Sequence, residues 1–282
     1  ITNRTSCDYA EALVLQALGR AGLRAQDLGL LVLATSIPDE FGPPTACRVQ
    51  ALLGARNAVA FDVTAACSGW LFAARVARDW LASSGEGYAA VVGVEVYSRF
   101  LDPADRATAV LFGDGAAATI LGPVTAGGFG VMSLGSDGTG ADDVVLPAGA
   151  GRMPASEHTL AQRAHLIRMK SRSVRDFILE IFPQAVETAL KQNGLVLDNI
   201  DLVVVHQPNP ALLRHAAGQL GIGEDRLVLV GDQAGNLGAA CIPYGLGHAI
   251  EHGRLHDGDR VLVVAFGAGP TWGSTVLTWS GG

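Results

Sequence analysis

Cys67, His206 and Asn236 are the residues whose types and settings best suit them to chemistry. Cys67 lies in "FDVTAACSGW", between the apolar run Ala58 to Val63 and an apolar helical pattern from Trp70 past Leu81. A cysteine at a strand-to-helix junction meets the positive end of the helix dipole, which lowers the thiol pKa and favours the nucleophilic thiolate. Its small neighbours let a substrate approach. A buried core cysteine has the same local appearance, since free cysteine is among the most buried residue types. His206 ends "LVVVHQPN", at the C-terminal end of a buried strand, where α/β sheets bind ligands. A lone histidine there also reads as a satisfied core or surface residue. Asn236, in "QAGNLGAA", sits at another strand-to-helix turn, with an N-cap as the plain alternative. "FGAGPTWGS" is a glycine-rich turn between strands. It can aim backbone N–H groups at an oxyanion, or be no more than a tight hairpin.

The elements that must hold these residues alternate short β-branched runs with amphipathic helices, the pattern of an α/β fold with buried strands. In the first half a helix is predicted over about Asp8 to Gly22, then a strand over Leu28 to Thr35. A Pro-rich loop (Ile37 to Pro44) leads to a helix ending near Leu53, then come the strand Ala58 to Val63, the Cys67 helix, and the strands Tyr88 to Val96 and Ala116 to Leu121. The second half repeats the order: a helix near Ser173 to Asn193, a strand Ile200 to Val205, a helix Pro210 to Leu220, a strand Arg226 to Val230, a helix Leu237 to His252, and strands Arg260 to Phe266 and Thr271 to Trp279. "DLGLLVLATSIPD" echoes "NIDLVVVHQPNP", so the chain reads as two copies of one α/β unit packed as a pseudo-dimer. The halves are placed at 1–166, with the nucleophile, and 167–282, with the histidine and asparagine. The Gly- and Pro-rich stretch Gly122 to Leu166 is read as loops that shape a substrate tunnel.

Composition narrows the partners. The 282 residues are 49% hydrophobic and 17% charged, enough for a large core. A net charge of −7 argues against nucleic acid. Cys7, Cys47, Cys67 and Cys241 are widely spaced, which suggests reduced, cytoplasmic thiols rather than disulfides or a metal site. No apolar run approaches membrane-spanning length, and no signal peptide is expected. The chain opens on Ile1 rather than Met, which reads as a trimmed start. "FGDGA" lacks the glycine order and the lysine of a phosphate loop, so no nucleotide cofactor is expected.

Taken in order, "FDVTAACSG", "LFGDGAAATIL", "VVVHQPN", "QAGNLGAACIP" and "FGAGPTWGS" resemble the β-ketoacyl-acyl-carrier-protein synthase III family of thiolase-fold condensing enzymes. The resemblance covers essentially the whole chain. It implies an α/β, thiolase-like fold in layered αβαβα architecture, with Cys67 as nucleophile and His206 and Asn236 as its catalytic partners. It also implies acyl transfer to Cys67, an oxyanion hole from the N–H groups of Cys67 and Ala268, and decarboxylative condensation with a malonyl thioester. An asparagine suits that last step, because a neutral amide donor steadies an enolate and a carboxylate would repel it. Family members usually carry a further N-terminal segment that supplies the first strand and part of the coenzyme A site.

The chain also departs from the family. Ala211 stands where an arginine often helps bind coenzyme A, with Arg214 one turn on, and Ala268 stands where glycine is usual. Arg163, Arg168, Lys170, Arg172 and Arg175 form a basic run. It reads either as a solvated helix face or as a landing site for phosphopantetheine phosphates or an acidic acyl carrier protein. The resemblance implies a homodimer in which the loop Pro38 to Pro44 crosses to the partner, with Phe41 and Gly42 near the acyl pocket. Arg172, Arg175, Arg214, Phe41 and Gly42 are therefore the expected substrate-binding residues. The expected ligands are acyl and malonyl thioesters of coenzyme A or acyl carrier protein, with no metal. Two other functions are open: an acyltransferase that moves the Cys67 acyl group without condensation, and a non-catalytic partner subunit. An intact Cys67, His206 and Asn236 set argues against the second.

Overall fold

The strands pair with one another, and their two faces then determine which helices they hold. The computed structural model describes residues 4–84 and 87–281. Ile1, Thr2 and Asn3, on which the reading of the start rests, lie outside the described residues. The chain runs α1 (Ser6–Arg20), β1 (Leu28–Ala34), α2 (Thr45–Leu53), β2 (Val59–Val63), α3 (Gly69–Ser84), β3 (Tyr88–Glu95), α4 (Arg106–Ala109), β4 (Gly115–Leu121). It continues through β5 (Gly128–Phe129), β6 (Ser133–Ser136), β7 (Val144–Val145), α5 (Glu157–Ala161), β8 (Arg168–Met169), α6 (Ser171–Gln192) and β9 (Leu202–Val205). It closes with α7 (Pro210–Gln219), β10 (Leu227–Val228), α8 (Gly231–Ala234), α9 (Cys241–Glu251), β11 (Arg260–Gly267) and β12 (Thr271–Thr278).

One sheet has the order β2-β1-β3-β4, a second has β10-β9-β11-β12-β5, and β7 and β8 form a small two-stranded sheet. In each of the two larger sheets, a central strand pairs in parallel with two neighbours, and an antiparallel strand follows. β5 and β6 lie between the halves in sequence but pair with β12 of the second sheet. Strand alternation then builds the layers. Leu30, Val32 and Ala34 face the central helices α3 and α9, which also pack on Leu202, Val204, Val261 and Val263 of the second sheet. Leu31 and Leu33 face α1 and α2. Val203, Val205, Leu262 and Val264 face α6 and α7. The result is the αβαβα layering expected from the sequence.

Small residues bring the central layer close to the sheets. A Cβ at Gly69 would lie 3.1 Å from the Ala34 Cβ, and one at Gly93 only 2.4 Å from the Ala239 carbonyl oxygen. Local chemistry sets the helix starts. Thr5 and Asp8 form a capping box at α1. Asp62 accepts from the Thr45 and Ala46 nitrogens at the head of α2 (2.7 and 2.8 Å). Asn209 caps α7, whose first residue is Pro210. The helix predicted from Leu237 starts as a 3-10 turn, Gly238–Ala240, before α9, just as the turn Ala66–Ser68 precedes α3. Among the described residues no helix is long and apolar enough to cross a membrane.

Candidate active site

Cys67 sits in the tight turn between β2 and α3. The residue before it, Ala66, has φ +47°, a left-handed conformation that L-residues adopt only when their surroundings enforce it. The enforcement comes from the second half. Ser68 Oγ bonds the Ala65 carbonyl (2.7 Å) and lies 2.7 Å from Thr271 Oγ1, which itself donates to the Ala65 carbonyl at 3.1 Å. Gly267 presses on the same turn: a Cβ there would lie 2.8 Å from the Cys67 nitrogen and 2.9 Å from the Ser68 nitrogen. The turn 268–270 that follows β11 is thereby held beside Cys67. Ala268 has a negative φ, so its Cβ brings no left-handed strain.

The lowered thiol pKa expected at a helix N-terminus is not found in the resting site. Burial pushes the Cys67 thiol up, and the nearby Glu95 and Cys241 add to this. The Asn236 side chain opposes that rise without cancelling it. The dipole acts over one turn, whereas desolvation acts from every side of a buried sulfur.

His206 and Asn236 face the same space. His206 follows β9, its nitrogen bonded to the Val264 carbonyl (2.9 Å), and the edge of its ring meets Phe266 at 5.3 Å between centroids. Its Nε2 lies 3.0 Å from Asn236 Oδ1, which also accepts the Gly238 backbone N–H at 2.9 Å. The Gly238 nitrogen can only donate, so this oxygen is an acceptor and His206 Nε2 carries the proton. Burial lowers the His206 pKa to about 4 despite the opposing Asn236 bond, so the imidazole is neutral. Asn236 Nδ2 is left to donate.

Asn236 is clamped by residues that sequence reasoning gave no role. Its nitrogen donates to the Leu111 carbonyl (2.7 Å) and its carbonyl accepts from the Gly113 nitrogen (3.0 Å). The "FGDG" loop thus holds the asparagine. Gly113 must be small, since a Cβ there would lie 2.1 Å from the Ala234 oxygen. Gln207 fastens the other side. Its amide bonds the Val228 carbonyl (2.6 Å) and the nitrogens of Val230 (2.9 Å) and Gly231 (2.6 Å).

Cys67, His206, Asn236 and Ala268 line one cavity of about 620 Å³. Its walls include Val144 and Leu146 from the segment 122–166, and Ala211 at the place of the missing arginine. Of the expected substrate-binding residues, Arg175 lies on this lining; its guanidinium pairs with Asp176. Arg172 is exposed and outside it. Arg214 is also outside and is engaged by Asp232 and Glu224. In the basic run, Arg163 pairs with Asp102 and Lys170 with Asp143. Ser36 and Ile37 line the cavity, but the loop then turns away: Asp39 is bound by the Ser6 and Cys7 nitrogens, and Phe41 is 84% exposed. Phe41 and Gly42 therefore do not line the cavity of their own chain. Glu95, Ser36 and Tyr97 form a buried polar group beside Cys67 that sequence reasoning missed. The available signal was a glutamate inside the apolar strand "YAAVVGVE". Among the described residues no cluster of His, Cys, Asp and Glu could hold a metal ion. A separate cavity of about 380 Å³, lined by Trp70, Phe129 and Trp279, contains none of the three candidate residues.

Comparison with known proteins identifies the family. Residues 61–138 match the family model for 3-oxoacyl-[acyl-carrier-protein] synthase III, and residues 190–279 match the model for its C-terminal part. The β-ketoacyl-[acyl-carrier-protein] synthase III of Symbiobacterium thermophilum is 39% identical, covering 98% of this chain and 84% of its own length. That of Syntrophomonas wolfei is 42% identical, covering 93% of this chain and 80% of its own. The solved Thermus thermophilus synthase III superposes with a TM-score of 0.91 at 35% identity, covering 100% of this chain and 87% of that one. A priming β-ketosynthase from a polyketide biosynthetic pathway gives 0.89 at 29% identity, covering 98% of this chain and 82% of that one. The fold, the motifs and these likenesses agree: the chain belongs to the 3-oxoacyl-[acyl-carrier-protein] synthase III family of condensing enzymes.

Proposed function

We propose that the chain primes fatty-acid or polyketide synthesis: an acyl group passes from a thioester to Cys67 and then condenses with a malonyl thioester. In the first step Cys67 sulfur attacks the acyl carbonyl. The tetrahedral oxyanion sits between the N–H groups of Cys67 and Ala268, and the donor thiol leaves. In the second, His206 Nε2–H turns from Asn236 Oδ1 to the malonyl thioester carbonyl, Asn236 Nδ2 donates to the same oxygen as CO2 departs, and the enolate carbon attacks the acyl-Cys67 carbonyl. A neutral imidazole suits this role, because it donates a proton in a hydrogen bond without giving it up. The observation that carries the proposal is the convergence of Cys67, His206 and Asn236 on one cavity, with the Asn236 oxygen tied to Gly238 so that its NH2 is the end available to substrate.

The donors are acyl and malonyl thioesters of coenzyme A or acyl carrier protein, handled in the cytoplasm by a homodimer. Arg175 at the cavity and the exposed Arg172 suit an acidic carrier or its phosphate; Arg214 is drawn off by Asp232. The test is incubation with an acyl thioester followed by malonyl thioester, reading the protein mass and then released CO2. A mass gain on Cys67 followed by CO2 and a 3-oxoacyl product is the expected result. Acyl transfer without CO2 would assign the chain to plain acyltransferase chemistry.

A further inference from the structure

The proposed nucleophile begins as a thiol, and its neighbours supply few places for the proton. His206 is a weak base in this site, and its Nε2 already carries a proton directed at Asn236. Asn236 Oδ1 already accepts the Gly238 N–H and lies 3.6 Å from the Cys241 sulfur. One continuous path leads away from the sulfur. Tyr97, in the turn Tyr97–Phe100 after β3, places its hydroxyl 3.9 Å from Cys67 Sγ. The same hydroxyl donates to Ser36 Oγ (3.3 Å), and Ser36 Oγ donates to Glu95 Oε1 (3.1 Å). Each hydroxyl can accept from the group before it and donate to the next, so the direction runs from thiol to carboxylate.

Glu95 is 1% exposed, and among the described residues it forms no ion pair. Its carboxylate accepts the Ser36 nitrogen at 3.0 Å on both oxygens, Thr35 Oγ1 at 3.4 Å and the Ala239 nitrogen at 3.4 Å. Gly238 makes room for the group: a Cβ there would lie 2.4 Å from the Tyr97 hydroxyl and 2.8 Å from Glu95 Cγ. A buried carboxyl held this carefully against a reactive thiol, without a cation, costs stability and calls for a use.

Taking Cys67 as the acyl acceptor, we infer that Glu95 receives the Cys67 proton through Tyr97 and Ser36 as the sulfur attacks. The S–H bond breaks as the S–C bond forms. Tyr97 oxygen gains the thiol proton and passes its own to Ser36, and Ser36 passes its own to Glu95 Oε1. The departing thiolate takes a proton from water. In condensation Cys67 leaves as thiolate and recovers the proton from Glu95 by the reverse route, so both half-reactions balance. Tyr97 touches the reacting sulfur; Ser36 and Glu95 act through it.

The electrostatics agree. Burial raises the Glu95 carboxyl to about 8, where a base is effective near neutral pH. The titratable groups facing it are Cys67, Tyr97 and Cys241; burial raises all three, and the Glu95 charge adds to each rise. Across the cavity His206 stays neutral above about 4.

The test is the rate of Cys67 acylation by an acyl-coenzyme A, followed by intact mass from about pH 5.5 to 9.5. In the unmodified protein the rate is expected to climb with pH and bend near 8. Tyr97→Phe, Ser36→Ala and Glu95→Gln should each lose that bend and acylate about a hundredfold more slowly at neutral pH. Melting curves check folding; if Glu95→Gln fails to fold, Tyr97→Phe, which removes one oxygen, carries the test. An unchanged rate and bend in Tyr97→Phe overturns the relay. A uniform loss with the bend in place also overturns it, because packing alone would act that way. Cys67→Ala separates the two claims: an adduct that survives there removes the nucleophile itself.

Discussion

Cys67→Ala should abolish the acyl adduct, read by intact mass, since among the described residues no other cysteine lines the cavity. His206→Ala and Asn236→Ala should acylate at near-normal rates but condense about a hundredfold or more slowly, the usual cost of one lost oxyanion-type donor. Equal failure of both at acylation would move them to the first half-reaction. His206 also carries a pH signature. Its folded pKa of about 4 lies below the ordinary 6.5, so protonation favours unfolding. Stability from this group is complete above pH 6.5 and is lost as pH falls toward 4, by on the order of 3 kcal/mol. Melting temperature against pH, compared with His206→Ala, reads this term, and the variant should show the flatter acid limb. The candidate trio was legible because each member sits at a strand end or turn with its own local signal. Glu95, Ser36 and Tyr97 were not, because their meeting depends on how the end of β1 lies against the end of β3. The resting thiol pKa was misread for a related reason: the dipole is visible in sequence, and desolvation is not.

Among the elements, the buried strands and the long helices were the most legible, because periodicity of two or of 3.6 residues runs through them. Their ends were less so. The helix predicted from Leu237 gives its first turn to the 3-10 segment Gly238–Ala240, where the chain bends around Glu95 and Tyr97. β10 keeps only Leu227 and Val228 of its predicted run, because Gln207 takes the backbone groups beyond it. "FGDG" shows the same limit: Gly113-Asp114-Gly115 bears only a superficial likeness to a phosphate loop, and the segment's role as a clamp on Asn236 appears only in three dimensions. Gly113→Ala tests that role. The added Cβ meets the Ala234 main chain, so it should cost about 1–3 kcal/mol of stability. It should also displace Asn236 and slow condensation more than acylation. Equal slowing of both half-reactions, with the melting temperature unchanged, would detach the loop from the asparagine.

At the scale of the molecule, the exposed apolar residues point to a second copy. β2 is the outer strand of its sheet, pairing among the described residues only with β1, and Val59 on it is 47% exposed. Leu52 is 52% exposed and Phe41 84%. An open, partly apolar edge of this kind is covered most simply by its own twin across a two-fold axis. Light scattering at micromolar concentration should therefore give twice the chain mass of 29.1 kDa, and Val59→Lys should shift it toward one chain. In such a dimer the loop 38–44, which leaves its own cavity, would reach the partner's. Gly42 then matters by what it lacks. Nothing in its own chain lies within 4 Å of a Cβ at that position, so the first atom of a side chain there meets no neighbour. Without a ring there, and unless Phe41 takes its place, the partner's acyl pocket should be deeper than one built for acetyl. Each further methylene that meets apolar wall adds up to about 0.8 kcal/mol, roughly fourfold in preference. Acylation rates should thus rise from acetyl to longer or branched acyl thioesters, and Gly42→Phe should return the preference to acetyl. Rates that fall steadily from acetyl to octanoyl in the unmodified protein would show that Phe41, or another side chain, fills the space that the glycine leaves.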